Sequence, residues 1–421
     1  MRRTVWRGLL AVLVLAAAGA ALVAWLNLRG ESPVSDQRPA SLDAAAVARG
    51  AYLARAGNCV GCHTERGGVG YAGGRRMDTP FGALYAPNLT PDAQTGLGSW
   101  SPSEFWRALH HGRGRDGRLL YPAFPYPSYT QVTREDSDAL WAYLQSLPPV
   151  RRANTPHVLR FPYNQQAALA VWRALYFRAE DFQPDPNRSA EWNRGAYLVR
   201  GLGHCVACHA ARNVLGASRG GFELGGGLIP MENWYAPSLA AAGETSVAAW
   251  PAADVVALLQ TGVAPHGMAT GPMAEVVYRS TQYLSEPDLK AMAGYLQALP
   301  QLPPAQARAP AAEPAVLRQG EQLYGQHCAK CHGEQGQGVA GIYPPLAGNR
   351  AVTLPASVNL VKSVLHGGFA PATAGNPRPY GMPPFAQQLN DAELAALLSY
   401  LRQAWGHQAA AVSLLDVQRA R

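Results

Sequence analysis

Charged residues are absent from a run of 21 residues, Gly8 to Leu28. As a helix this run spans about 31 Å, the thickness of a bilayer core. Trp6 and Trp25 stand near its two ends, where interfacial aromatics belong. Arg2, Arg3 and Arg7 precede it, which predicts a cytoplasmic N-terminus and an exported body. A cleaved signal peptide competes, with Ala18-Gly19-Ala20 as its cleavage site. Apolar residues continue well past that site, which favours a retained anchor over residues 1–30. No second run of this kind follows.

Beyond a polar tether (31–45, with Pro33 and Pro39), helical periodicity recurs in pairs. Three segments lead with small and aromatic residues at helical spacing: Arg49-Gly50-Ala51-Tyr52-Leu53, Arg194-Gly195-Ala196-Tyr197-Leu198 and Gly320-Glu321-Gln322-Leu323-Tyr324. Three amphipathic helices close the repeats. The first runs Glu135 to Leu144. The second has Ser285 as N-cap and Pro287 in its first turn, and leads to Tyr295-Leu296. The third has Asn390 as N-cap with Glu393 three residues later, then Tyr400-Leu401. Between the members of each pair a helix is expected to end at a glycine: Gly112, Gly262 and Gly367. The repeat predicts an all-α architecture of three tandem small units, 46–150, 191–300 and 317–406. A connector (151–190) and a Pro/Ala-rich linker (301–316) join them. The tail, 407–421, reads as a surface helix or a disordered end.

The length of 421 residues fits several domains, and only 15% of residues are charged. With 43 Gly and 34 Pro this suits loop-rich units built around a cofactor. The net charge is +8, with three positive charges in the N-terminal cluster. The remainder suits an acidic partner, an anionic lipid surface or solubility alone. No dinucleotide fingerprint, phosphate loop or nucleophile–base pair stands out, and no nucleic-acid partner is expected.

Each leading helix runs into Cys-x-x-Cys-His: Cys59, Cys62 and His63; Cys205, Cys208 and His209; Cys328, Cys331 and His332. The copies start 146 (205 − 59) and 123 (328 − 205) residues apart. The pattern is that of covalent haem c attachment: two thiols add across the vinyl groups as thioethers, and the adjacent histidine becomes the proximal iron ligand. A zinc site, a redox dithiol and a disulfide are the competing readings. The three motifs use all six cysteines, so no thiol remains for a four-sulfur site or a distant disulfide. Three covalently bound haems are therefore expected. In bacteria such attachment takes place outside the cytoplasm, in agreement with the exported body. Tyr85-Ala86-Pro87-Asn88-Leu89 matches Tyr235-Ala236-Pro237-Ser238-Leu239, and Pro344-Pro345-Leu346 is a shorter echo. A proline loop here supplies a carbonyl to hold the other ring nitrogen of the histidine.

The sixth iron position follows from the same repeat. Met273 comes 11 residues after Gly262, in Gly271-Pro272-Met273-Ala274, with Met268 a nearby competitor. Met382 comes 15 after Gly367, in Gly381-Met382-Pro383-Pro384. A methionine beside Gly and Pro on a loop suits ligation better than core filling. The first unit instead has Phe124, 12 residues after Gly112, and phenylalanine does not bind iron. Met77, His110 and His111 are its candidates, and an open or water-ligated first haem is an alternative.

Specific stretches carry a family likeness: Thr79-Pro80-Phe81-Gly82, Ala86-Pro87-Asn88-Leu89-Thr90-Pro91-Asp92, Leu120-Tyr121-Pro122-Ala123, Ser189 to Leu198, and Gly271 to Val277. With these the chain, from about residue 45 to 405, resembles the three-haem cytochrome c subunits of bacterial membrane-bound dehydrogenases for alcohol, sorbitol, fructose and gluconate. The resemblance implies a non-catalytic subunit. It would take electrons from a separate catalytic subunit carrying a quinone, flavin or molybdenum cofactor and pass them to membrane quinone or another periplasmic acceptor. Its place would be the inner membrane, with the haem domains facing the periplasm. Many members carry methionine where Phe124 stands, so the departure concerns the first haem alone. Two rival functions remain: a free-standing periplasmic carrier, and a peroxidase or reductase working at an open first haem.

Overall fold

The computed structural model describes residues 2–31, 33–34, 42–218, 223–229, 232–302 and 311–421. Most of the expected tether (35–41) and the middle of the Pro/Ala linker (303–310) lie outside these residues. Contacts divide the chain into two compact units. Unit 1 is Met1–Ala51 with His63–Gln183, and unit 2 is Tyr52–Cys62 with Pro184–Arg421.

In unit 1, helix α1 (Arg2–Leu28) carries the apolar run, and its side chains are almost all exposed. It is the one described helix long and apolar enough to cross a membrane. Helix α2 (Ala44–Ala56) begins in unit 1. A hairpin, β1 (Arg76–Thr79) and β2 (Gly82–Tyr85), precedes helix α3 (Pro102–His111). Helix α3 starts on a capping box between Ser101 and Glu104 and stops at Gly112 in the left-handed conformation. Helix α4 (Arg134–Ser146) is capped by Thr133. The stretch read as a connector has structure of its own. Strand β3 (Val158–Leu159) adds antiparallel to β2, and helix α5 (Gln166–Tyr176) packs against α1.

Unit 2 repeats the scheme twice. Its first helix, α6 (Ala190–Tyr197), continues into a π turn, Leu198–Leu202, just before Cys205. The hairpin of β4 (Gly227–Ile229) and β5 (Trp234–Ala236) follows. Helices α7 (Ala252–Thr261), α8 (Gly271–Arg279) and α9 (Glu286–Gln297) complete that repeat. The last repeat holds α10 (Pro314–His327), α11 (Val358–His366), the short pair β6 (Gly368–Phe369) and β7 (Gly381–Met382), and α12 (Asp391–Gln403). The molecule is mostly helical, with these short β-pairings as the difference from an all-α expectation.

One packing device appears three times. A Cβ on Gly50 of α2 would overlap the Ala139 carbonyl of α4 and the Tyr143 side chain. Gly195 of α6 meets Ala291 and Tyr295 of α9 in the same way, and Gly320 of α10 meets Ala396 and Tyr400 of α12. Each first helix therefore crosses its last helix at backbone contact, with a tyrosine flanking the crossing. This is why the leading segments carry glycine in mid-helix, where it otherwise costs about 1 kcal/mol relative to alanine.

The tail differs from expectation. Helix α13 (Leu414–Ala420) is capped by Ser413 and closes the last core. Val412, Val417 and Ala420 are buried in one cluster with Leu394, Leu398 and Leu401. Beneath it, Arg402 donates from Nη1 to the carbonyls of Val352 and Leu354 (both 2.9 Å) and from Nε to that of Ala410 (2.7 Å). Within unit 2 the two repeats are joined. Asn359 donates to the Tyr235 carbonyl (2.7 Å) and accepts from its N–H (2.8 Å). Gly262 leaves no room for a Cβ beside Pro371.

Candidate haem sites

The first Cys-x-x-Cys motif lies in segment Tyr52–Cys62 of unit 2. Tyr52 donates to Asp288 (2.6 Å), which also accepts two bonds from Arg194 (2.8 and 2.7 Å). Arg55 stacks 4.3 Å over the Tyr283 ring, and His204 meets the Gly57 carbonyl at 3.3 Å. Cys59–Cys62 forms a single helical turn, as do Val206–His209 and Ala329–His332. The turn brings both cysteines of a motif to one side. In the first two copies the residue before the first cysteine, Asn58 or His204, has positive φ and ends the leading helix. In the third the helix runs on through His327.

Each motif histidine makes the same bond. Nδ1 of His63 lies 2.8 Å from the Pro87 carbonyl, that of His209 2.7 Å from Pro237, and that of His332 2.9 Å from Pro344. Burial lowers all three histidine pKa values, and the carbonyl bond only partly opposes this. The rings are therefore neutral. A neutral ring whose Nδ1–H donates to a carbonyl offers its Nε2 lone pair to a metal.

The six cysteines form no disulfide among the described residues. Desolvation, with a push from the second cysteine of the motif, drives Cys59 and Cys205 up to about 12 and Cys328 to about 11. Among the described residues no cluster of three or more His, Cys, Asp or Glu could hold a metal ion. Paired thiols beside one oriented imidazole suit a porphyrin added through its vinyl groups; a zinc ion would need more ligands.

Comparison with known proteins decides between these chemistries. A family model described as Cytochrome c matches residues 47–148 and 317–405. The cytochrome c subunit of alcohol dehydrogenase (quinone) from Gluconacetobacter polyoxogenes is 38% identical, over 90% of this chain and 85% of its own. The gluconate 2-dehydrogenase cytochrome c subunit of Pantoea cypripedii is 36% identical over 90% of each chain. A nicotinate dehydrogenase subunit of Pseudomonas putida is 44% identical over 94% of this chain, which spans only 33% of that relative's length. The chain belongs to the cytochrome c subunits of membrane-bound dehydrogenases.

As a cytochrome c subunit of this kind it binds haem c and carries electrons. Its residues expected at the sixth positions lie as follows. Met382 sits on β7 opposite Gly368 and packs against the last core. Met273 is not on a loop: it occupies the first turn of α8, with Pro272 opening that helix, and α8 packs on the Cys59–Cys62 turn. Pro and Gly beside a methionine here mark a helix start, which the same residue types on a loop would mimic. Phe124 is half-buried with its ring 5.3 Å from Tyr129. Met77 lies on β1 opposite Leu84, in the hairpin that leads to the Pro87 loop. His110 stacks on Trp106 (4.4 Å) with its Nε2 3.8 Å from Asp181, and His111 lies beside it.

Sequence reasoning passed over Asp288 and Asp136. Arg49 pairs with Asp136 at 2.6 Å just as Arg194 pairs with Asp288. The signal was present: an arginine directly before Gly-Ala-Tyr and an aspartate in the first turn of the closing helix, in both copies.

Proposed function

We propose that the chain is the three-haem electron relay of a periplasm-facing dehydrogenase complex, held to the inner membrane by α1. Three cytochrome c units, 46–150, 191–300 and 317–406, would each carry one haem. The thioether pairs are Cys59 and Cys62, Cys205 and Cys208, and Cys328 and Cys331. His63, His209 and His332 would each bind one iron, and Met273 and Met382 would bind those of the second and third haems. For the first haem, Met77, His110 and His111 remain candidates, and Phe124 favours an open iron. The observation that carries the reading is the threefold histidine–proline bond behind three identical attachment motifs.

The haem irons supply one-electron chemistry when bound, and the chain's own residues set its terms. The proline carbonyls fix each imidazole in the tautomer that leaves Nε2 free. A methionine sulfur bound to an iron would raise its potential. Electrons enter from a catalytic partner subunit, whose cofactor is a quinone, flavin or molybdenum centre, and leave to membrane quinone or another respiratory acceptor. The relatives named for alcohol, gluconate and nicotinate dehydrogenases support a donor of that range. The retained anchor is supported by the body's grip on α1. Asn27 donates to the Ala170 carbonyl (2.9 Å), and Arg113 pairs with Glu31 (2.9 Å).

Purification of the exported chain in mild detergent tests the proposal. The expected result is a mass increment of three haems, three haems by pyridine spectrum and a dehydrogenase subunit in the same peak. Fewer haems, or a cytochrome that always isolates alone, would count against it. Cyanide or peroxide reshaping a high-spin spectrum, with turnover, would favour the haem-enzyme alternative.

A further inference from the structure

The proline peptide behind each motif histidine has two ends. Its carbonyl takes the histidine Nδ1, and its nitrogen belongs to the next residue, Asn88, Ser238 or Pro345. All three copies hold this peptide in the same way. A glycine with positive φ, Gly73, Gly226 or Gly338, donates its N–H to the motif histidine's own backbone carbonyl (2.9, 2.8 and 2.8 Å). A Cβ on that glycine would lie 2.7, 2.6 or 2.7 Å from the peptide nitrogen, so only glycine permits the approach. The frame is constant, and the partner of the nitrogen is what changes.

In the second copy the Ser238 N–H donates to Oε2 of Glu244 (2.7 Å). The Tyr235 hydroxyl donates to the same carboxylate, 2.9 Å from Oε2 and 3.1 Å from Oε1. Burial, then the Glu244 carboxylate, raise the Tyr235 pKa, which keeps that hydroxyl a donor. In the first copy the Asn88 N–H donates to the amide oxygen of Asn154 (2.7 Å), whose own nitrogen donates to the Thr95 carbonyl (3.0 Å). In the third copy Pro345 has no N–H to give. One peptide position therefore meets a carboxylate, a neutral amide or no acceptor at all.

We propose that Glu244 is a positioning residue that acts on His209 through the Pro237–Ser238 peptide and lowers the reduction potential of the iron that His209 would bind. The inference rests on the reading of His209 as an iron ligand. Hydrogen bonds in a chain polarise one another, and a charged acceptor does so most strongly. With its N–H bound to a carboxylate, the peptide shifts electron density toward the Pro237 oxygen. That oxygen pulls harder on the Nδ1 proton, Nε2 becomes the stronger donor, and the ferric state gains over the ferrous. Asn154 does the same more weakly for His63, and His332 has the bare carbonyl alone. Three identical motifs are thereby given imidazoles of three strengths.

The test uses the full haem-loaded chain in mild detergent and a spectroelectrochemical titration that resolves its components. Glu244→Gln keeps an oxygen for the Ser238 N–H and removes the charge. It is expected to favour the reduced form of one haem about tenfold, roughly 59 mV upward for one electron, and to leave the others in place. Ser238→Pro gives the second copy the prolyl nitrogen of the third while the Glu244 charge stays, and it should raise the same component at least as far. Unmoved components in Glu244→Gln would overturn the proposal. So would a shift in Glu244→Gln without one in Ser238→Pro, because the charge would then act across space and not through the peptide. Should the proline variant not fold, magnetic resonance of the reduced protein with ring-labelled histidine decides. The Nδ1–H proton of one motif histidine should move upfield in Glu244→Gln, and an unmoved resonance would overturn the relay. A wild-type chain that carries no haem on Cys205 and Cys208 by peptide mass ends the reading of His209 as a ligand, a separate outcome.

Discussion

At the scale of single residues, the same solution serves each motif: a histidine whose Nδ1 is committed to a proline carbonyl. What varies is the residue expected at the sixth position: Met382 on β7, Met273 in the first turn of α8, and Phe124 in the first copy. Replacing Met382 with alanine should lower the midpoint potential of one haem by on the order of 100 mV or more, within the roughly 0.8 V that axial ligands govern. A spectroelectrochemical titration resolving three components reads this; three unmoved components would remove Met382 from the iron. Asp288 offers a stability test. Burial alone would raise its pKa, but bonds from Arg194 and Tyr52 outweigh it and hold the carboxyl below its usual range. The stabilisation is therefore full above the unfolded value of about 3.9 and drains as pH falls through the lower folded value. Asp288→Asn should cost about 2 kcal/mol at pH 7. The gap from wild type should begin to close near pH 4 and vanish in stronger acid, as followed by denaturant titration at stepped pH. A gap that persists unchanged to pH 2 would contradict the pairing.

At the scale of elements, the helix crossings carry the argument. Each pair of first and last helices touches backbone to backbone because a glycine stands at the contact. Gly320→Val should cost about 2–4 kcal/mol, since a branched side chain has nowhere to go but into Ala396 and Tyr400. Asn390→Ala on the same helix pair removes only a cap and should cost about 1 kcal/mol. Calorimetry of the two variants should rank them in that order. Such local features were legible. Ser285 caps α9, Asn390 and Glu393 form a capping box, and helices end at Gly112, Gly262 and Gly367, all as the residue types imply. What the sequence hid depends on distant partners. Val412, Val417 and Ala420 look like any short apolar tail until Leu394 and Leu398 are beside them. Pro272-Met273 reads equally well as a loop or a helix start until the backbone is seen.

At the scale of the whole molecule, each unit is closed by parts remote in sequence. Removing residues 412–421 should uncover the last core and lower its melting temperature by several degrees, with loss of roughly 2–5 kcal/mol from the vacated contacts. A thermal transition identical to the full chain would show the tail to be dispensable. Unit 1 is fastened to α1 at Asn27 and Glu31 rather than hung from it on a slack cord. If α1 stays in the bilayer, unit 1 is held at one height and one tilt, presenting the same flank to everything drifting in that leaflet. Encounters then become a planar search among pre-aligned bodies, and their frequency follows how densely the sheet of lipid is populated instead of how large the surrounding compartment is.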